Sequence, residues 1–234
     1  MTKAISQFST VNALMSGLYD GVFSAETILK SGDFGLGCSH AFGGEVIIID
    51  GKMIEARGDG IVRTMSSAEK LPFAQVTSFN AEKNISIKNV AKEQLHDVLS
   101  SYTKFDNIFL AVKYKGSFDR IKIRRPLEQK KPYKSVLEVV SDQVVDELKN
   151  VSGTLIGFFS PNYFSTISVS QFHVHFISDD GTKAGHVMDF AMAEGNLEFE
   201  RKLGLDIKLP DNPEFLKQNL DIDDMVELIK HVEN

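Results

Sequence analysis

Cysteine occurs once in the 234 residues, as Cys38, which excludes an intrachain disulfide and suits a reducing compartment. A basic surplus is also missing. Lys plus Arg number 26 against 32 Asp plus Glu, a net charge of −6, so there is no general electrostatic reason to bind nucleic acid. The longest apolar runs, such as Val46 to Ile49 and Thr154 to Phe159, fall far short of the roughly 20 residues that cross a bilayer, and no membrane helix is expected. The start, Met-Thr-Lys-Ala-Ile-Ser-Gln-Phe-Ser-Thr, lacks the basic opening and the apolar stretch of about 7–15 residues found in signal peptides, so the expected location is cytoplasmic. No repeat or low-complexity tract is visible, which sets aside solenoids and linkers.

What remains is ordinary globular material. Charged residues make up 25% and apolar ones 42%, near the usual values of about 25% and 45–50%, so the chain is expected to fold throughout. Its length allows one large domain or two small ones. Strand patterns dominate. Glu45 to Asp50 and Lys52 to Arg57 flank Asp50-Gly51, a dipeptide favoured in two-residue hairpin turns. Phe73 to Phe79, Ile85 to Ile87, Asn107 to Tyr114 and Phe118 to Arg124 also read as strands, the last two joined across Lys115-Gly116-Ser117. Beyond a polar segment from Arg125 to Tyr133, a helical pattern covers Ser135 to Leu148. Five further strands follow: Gly153 to Phe159, Ser165 to Val169, Phe172 to Ser178, Ala184 to Met192 and Asn196 to Leu203.

Other helices are expected over Ser24 to Lys30, capped by Ser24, over Lys88 to Tyr102, in a short turn from Pro213, and over Asp223 to Val232. The fold class is α/β in the broad sense (α+β), with two strand-rich domains of mixed β-sheets and peripheral helices. The polar segment divides an N-terminal mixed-sheet domain, 1–132, from a C-terminal sheet domain, 133–234, whose last helix returns towards the site described next.

Six histidines are present: His40, His96, His173, His175, His186 and His231. On a strand, His173 and His175 project to one face. If Asp180-Gly181 makes a two-residue turn, Asp179 opposes Thr182 and His175 falls opposite His186. Opposed residues have Cβ atoms about 4.5–5.5 Å apart, close enough for three ring nitrogens to meet one cation. His-x-His alone is equally compatible with a solvated strand face. The third imidazole favours a metal site, because clustered rings would otherwise repel as they protonate and add little packing. Three neutral imidazoles with an open position suit catalytic zinc, whereas a structural zinc site usually needs more cysteines than Cys38 supplies.

Arg124-Arg125 ends a strand before Pro126 and is either a solvated strand end or a bidentate carboxylate binder. The segment Gly32-Asp33-Phe34-Gly35-Leu36-Gly37-Cys38 lacks the ending of a phosphate loop and the context of a dinucleotide fingerprint; tight backbone turns account for its glycines. Glu45 is either an exposed strand start or a buried acid–base group.

Taken in order, Ser9-Thr10-Val11-Asn12-Ala13-Leu14, Tyr19-Asp20-Gly21, Gly32 to Gly37, Gly44-Glu45, Lys131-Pro132-Tyr133 after Arg124, His-Val-His and Gly185-His186-Val187-Met188-Asp189-Phe190 resemble the α-acetolactate decarboxylase family over nearly the whole chain. The resemblance implies a zinc enzyme of the butanediol pathway that converts (S)-2-acetolactate into (R)-acetoin and CO₂, in two α/β domains that form a homodimer. It implies His173, His175 and His186 as zinc ligands, Arg124 as the active-site arginine and Glu45 as the site glutamate. Glu233, in His-Val-Glu-Asn, matches the glutamate that reaches the metal from the C-terminal region. Two positions depart from the family pattern: Cys38 stands at a substrate-facing position where Thr is common, and Gly43-Gly44-Glu45 replaces Asp-Gly-Glu.

The implied chemistry is coherent. Loss of CO₂ from a β-keto acid leaves an electron pair that a Lewis acid on the ketone oxygen stabilises, here through zinc chelation of the substrate and an enediolate intermediate. Arg124 then orients the substrate or assists protonation, and Glu45 or Glu233 manages the proton. A zinc hydratase or hydrolase using metal-bound hydroxide and a non-catalytic metal-binding module are the alternatives. A cupin fits poorly, because His186 comes only eleven positions after His175.

Overall fold

Asp50 and Gly51 both take positive φ, 51° and 71°, the conformation a tight hairpin demands, and the turn joins two strands as expected. The computed structural model describes residues 3–221 and 224–233. β1 (Ala4–Phe8), α1 (Val11–Met15), β2 (Phe23–Ser24), α2 (Ala25–Leu29) and β3 (Phe34–Cys38) open the chain. β4 (Gly44–Ile49), β5 (Lys52–Arg57), β6 (Val62–Thr64), β7 (Lys70–Leu71), β8 (Phe73–Thr77) and β9 (Lys83–Ala91) lead to α3 (Leu95–Ser100) and the long β10 (Phe109–Arg125). After α4 (Val136–Ser141) come β11 (Val144–Ser160), β12 (Gln171–Ser178), β13 (Ala184–Lys202) and β14 (Gly204–Lys208), then α5 (Pro213–Lys217) and α6 (Met225–Glu233).

Two main sheets result, and the architecture is the strand-rich α+β type with peripheral helices. The first has the order β14-β1-β8-β3-β4-β5-β6 and is mixed, since β1 and β14 run parallel while its other pairs are antiparallel. The second is antiparallel, β10-β11-β12-β13-β9, and an additional β10–β13 pairing closes four of its strands into a ring. Tyr114, Phe118, Phe159, Phe176 and Phe190 fill that ring's core. β9 and β10 precede residue 132 yet lie in the second sheet, and β14 follows it yet lies in the first, so each sheet draws on both sides of residue 132. Among the described residues, no helix is long and apolar enough to cross a membrane.

Several local expectations are corrected. Lys115-Gly116-Ser117 is no turn: β10 runs straight through it, and Gly116 faces Gly153 on one side and Gly195 on the other. A Cβ at Gly116 would lie 2.6 Å from the Tyr114 hydroxyl and 2.4 Å from the Glu194 carbonyl, so this glycine permits close approach rather than reversal. The helix expected to Leu148 stops at Ser141, because the β-branched Val144 and Val145 enter β11 opposite Arg125 and Arg124. Lys88 to Ala91 extends a strand, leaving only Leu95–Ser100 as α-helix. Ala184–Lys202 is one bulged strand rather than two, and 165–169 is irregular. The glycine-rich segment is the buried β3 from Phe34 onward, where a Cβ at Gly35 would meet the Gln75 carbonyl at 2.0 Å. Ser24 caps α2 as expected. The final helix is present from Met225; Asp223, its expected start, and the terminal Met1, Thr2 and Asn234 lie outside the described residues.

Candidate metal centre

β12 carries His173 and His175 on one face, both buried. The hairpin reverses over four residues, 179–182, rather than the expected two: the Gly181 N–H donates to the Ser178 carbonyl at 2.9 Å and the Ser178 N–H to the Lys183 carbonyl at 2.8 Å, and the register still places His175 opposite His186. One strand further, β10 places Arg124 opposite His186. A single row across three strands therefore reads His175, His186, Arg124. The imidazole centroids are 5.2, 5.0 and 5.4 Å apart, and one nitrogen from each ring lies within 4.8 Å of the others.

The first sheet closes the site from the other side. Cys38 on β3 pairs directly with Glu45 on β4, so both side chains share one buried face. Glu45 Oε2 lies 3.5 Å from His175 Nε2. His175 Nδ1 is 2.9 Å from the Val46 carbonyl; a carbonyl only accepts, so Nδ1 carries the ring proton and Nε2 keeps its lone pair.

α6 supplies the last component. Met225, Ile229 and Val232 recur at helical spacing and pack with Val11, Leu14, Val136 and Val139, which brings Glu233 in the final turn over the histidines. Glu233 Oε2 accepts from Arg124 Nη2 at 3.0 Å and lies 3.9 Å from His173 Nε2 and 3.7 Å from His186 Nδ1. Arg124 Nη1 donates to Gln143 Oε1 at 3.1 Å. A narrow cavity lies between these groups, lined by the polar Cys38, Glu45, Arg124, His173 and Glu233 and by the apolar Val11, Leu14, Phe42, Phe73 and Val169.

Burial sets the protonation states. It pushes His173 down to about 3, assisted by the Arg124 charge, and holds His175 and His186 well below the usual imidazole range. All three rings are neutral at pH 7, the form that binds metals. Glu45 is pushed up to about 8 by burial and by Glu233, against the pull of Arg124. Glu233 is raised by burial, again opposed by Arg124, and the Cys38 thiol is raised by burial and by both glutamates.

His173 Nδ1 and His175 Nε2 are buried without a hydrogen-bond partner. An orphaned buried polar atom costs about 1–3 kcal/mol, and a divalent ion on three converging imidazoles removes that cost at His175 Nε2. The donor set therefore fits a metal.

Every residue expected at the site meets there: His173, His175, His186, Arg124, Glu45, Glu233 and Cys38. The other histidines stand apart. His40 is exposed and accepts from the Gly21 N–H, His96 pairs with Asp106 at 2.9 Å, and His231 is exposed. Arg125 is buried, but it binds Asp146 at 2.5 Å. Sequence reasoning missed Gln143, the Val46 carbonyl and the apolar wall. The wall's spacing signals only a core, and a lone glutamine carries no signal.

A sequence profile for alpha-acetolactate decarboxylase matches residues 5–222. The chain belongs to this family. The alpha-acetolactate decarboxylase of Methanosarcina mazei is 36% identical over 227 residues, covering 95% of this chain and 79% of that protein. The Bacillus subtilis alpha-acetolactate decarboxylase is 32% identical over 230 residues, covering 98% and 90%. A crystal structure of the Bacillus subtilis decarboxylase superposes with a TM-score of 0.96 over 99% of both chains, at 32% identity. The decarboxylase motifs seen in the sequence also meet in space: Asp20 of Tyr19-Asp20-Gly21 accepts from Tyr133 at 2.5 Å and from Lys131, and Tyr19 stacks on Phe42 of the cavity wall.

Proposed function

We propose that this chain decarboxylates (S)-2-acetolactate to (R)-acetoin and CO₂, with zinc held by His173, His175 and His186. The observation that carries the reading is the row of two imidazoles and a guanidinium across three strands, buried against two protonatable glutamates. Zinc, when bound, supplies a Lewis acid for the ketone oxygen that takes up the electron pair left by CO₂.

Arg124 binds the substrate carboxylate in a two-pronged contact and so fixes which bond breaks. The reaction consumes one proton, delivered to the carbon that loses CO₂. Glu45, 3.5 Å from His175 Nε2, and Glu233, tied to Arg124, relay that proton and the hydroxyl proton between solvent and substrate. A fixed position on β4 lets Glu45 serve a single face of that carbon, as one acetoin enantiomer requires. Val11, Leu14, Phe42, Phe73 and Val169 take the substrate's methyl groups and exclude water, while Cys38 contacts substrate with a protonated thiol in place of a hydroxyl. Family likeness supports a homodimer, and the single free cysteine suits the reducing cytoplasm.

The test is acetoin release from acetolactate by the purified protein. His175→Ala and chelation should each abolish release, with zinc content falling in parallel. Ester or CO₂ turnover without acetoin would favour a hydrolase or hydratase, and bound zinc with no turnover would favour a non-catalytic module.

A further inference from the structure

Arg124 is gripped on both arms, and the two grips differ in charge. Nη2 donates to the Glu233 carboxylate at 3.0 Å, inside the cavity; Nη1 donates to the Gln143 amide oxygen at 3.1 Å. Gln143 stands half-buried between α4 and β11, two positions before Val145, which is the ladder partner of Arg124. A neutral carbonyl fixes the guanidinium plane without cancelling its charge. If the fold needed only to satisfy a buried arginine, a carboxylate would be the stronger partner, since charge-assisted hydrogen bonds are about twice as strong as neutral ones. The amide therefore points to a demand on the charge itself.

We propose that Gln143 is the positioning residue of the site: it aims Arg124 into the cavity and adds no second negative charge to that of Glu233, so the guanidinium can still take the carboxylate of a 2-hydroxy-2-alkyl-3-keto acid. This rests on the role given to Arg124 above. The amide acts through the arginine and touches neither substrate nor metal.

Two substitutions separate positioning from packing. Gln143→Met keeps the volume and loses the acceptor; Gln143→Glu keeps an acceptor and adds the second negative charge. Each is measured in the zinc-loaded protein for KM and kcat with acetolactate, and by calorimetry for Kd with 2-hydroxy-2-methylbutanoate. That acid has the carboxylate and hydroxyl but no ketone, so it binds without losing CO₂. Gln143→Met should raise KM and Kd about tenfold with kcat changed less than about threefold, the scale of one lost hydrogen bond to a charged group. Gln143→Glu should raise both by about 30-fold or more while Tm and zinc content match the parent, because the second negative charge costs more than a lost contact. Should Gln143→Met fail to fold, Gln143→Ala, which demands no space, gives the same comparison. A Gln143→Glu protein that binds the hydroxy acid like the parent, or a Gln143→Met protein within about twofold of it, overturns the proposal. Parent protein that binds the acid yet releases no acetoin defeats the decarboxylase reading alone, and the Kd series still decides the role of Gln143. No binding by the parent overturns both.

Discussion

Zinc added to the metal-free protein at pH 7 should release about 0.9 proton from Glu45, the fraction protonated when the pKa is about 8. The released proton comes from the carboxyl and not from the ligands, because burial keeps His173 near 3 and the other two rings similarly neutral. A metal about 2.1 Å from His175 Nε2 would stand at most about 5.6 Å from Glu45 Oε2, given the 3.5 Å between those atoms. A double charge at that distance and an effective dielectric of about 20 is worth roughly 6 kcal/mol, about four pKa units, enough to ionise Glu45 fully. The sign follows: proton release from Glu45 approaches one as pH falls to 6 and shrinks to about 0.1 at pH 9. Calorimetric zinc titrations in two buffers of different ionisation enthalpy measure it, and the value for Glu45→Gln subtracts the contribution of Glu233. A difference between parent and Glu45→Gln below about 0.3 proton at pH 7 would refute the reasoning. So would release above about two protons at pH 6, the signature of three ordinary histidines.

Arg124→Lys keeps the charge but cannot serve Gln143 and Glu233 with a planar fork; kcat/KM for acetolactate should fall at least about tenfold while circular dichroism is unchanged. Gly35→Ala drives a Cβ to 2.0 Å from the Gln75 carbonyl inside the first sheet, which should cost about 3 kcal/mol or more and lower Tm by about 6–12 °C by calorimetry. The hydrogen bonds from Arg63 hold Glu69 down to about 2, so this pair stabilises the fold above about pH 4.5 and the contribution disappears as pH falls towards 2. Both side chains are about a third exposed, which limits the effect to about 1 kcal/mol; Glu69→Gln should remove that part of the acid slope in urea melts.

The heart of the site was legible because two short-range rules sufficed: a strand repeats every two residues, and a hairpin centred on Asp180-Gly181 makes opposed positions sum to a constant, whether it reverses over the expected two residues or the four found at 179–182. Together they place His175 opposite His186 without any knowledge of the rest. Arg124 joins that row through a β10–β13 pairing with a register shift between Lys122 and Ile123, which no local rule reports. Its role, like those of Glu45 and Glu233, came from family resemblance rather than from spacing. Gly116 misled because glycine marks both reversals and close approaches, and the deciding neighbours, Gly153 and Gly195, are remote in sequence. Val136, Val139, Val140 and Val144 share a helical period, yet β-branching suits a strand as well, and the pairing of Val144 with Arg125 won.

The insertion of β1 between β8 and β14 has a consequence for biosynthesis. While the nascent polypeptide emerges from the ribosome, the first sheet can assemble as far as β1 and must then wait for residues 204–208, leaving one flank of Ala4–Phe8 as an open row of amides and carbonyls. That interval is when the chain is most exposed to pairing with its neighbours on the same polysome. Conditions that slow translation through the long β10, β11 and β13 should raise inclusion-body yield, even though the finished enzyme hides that edge completely.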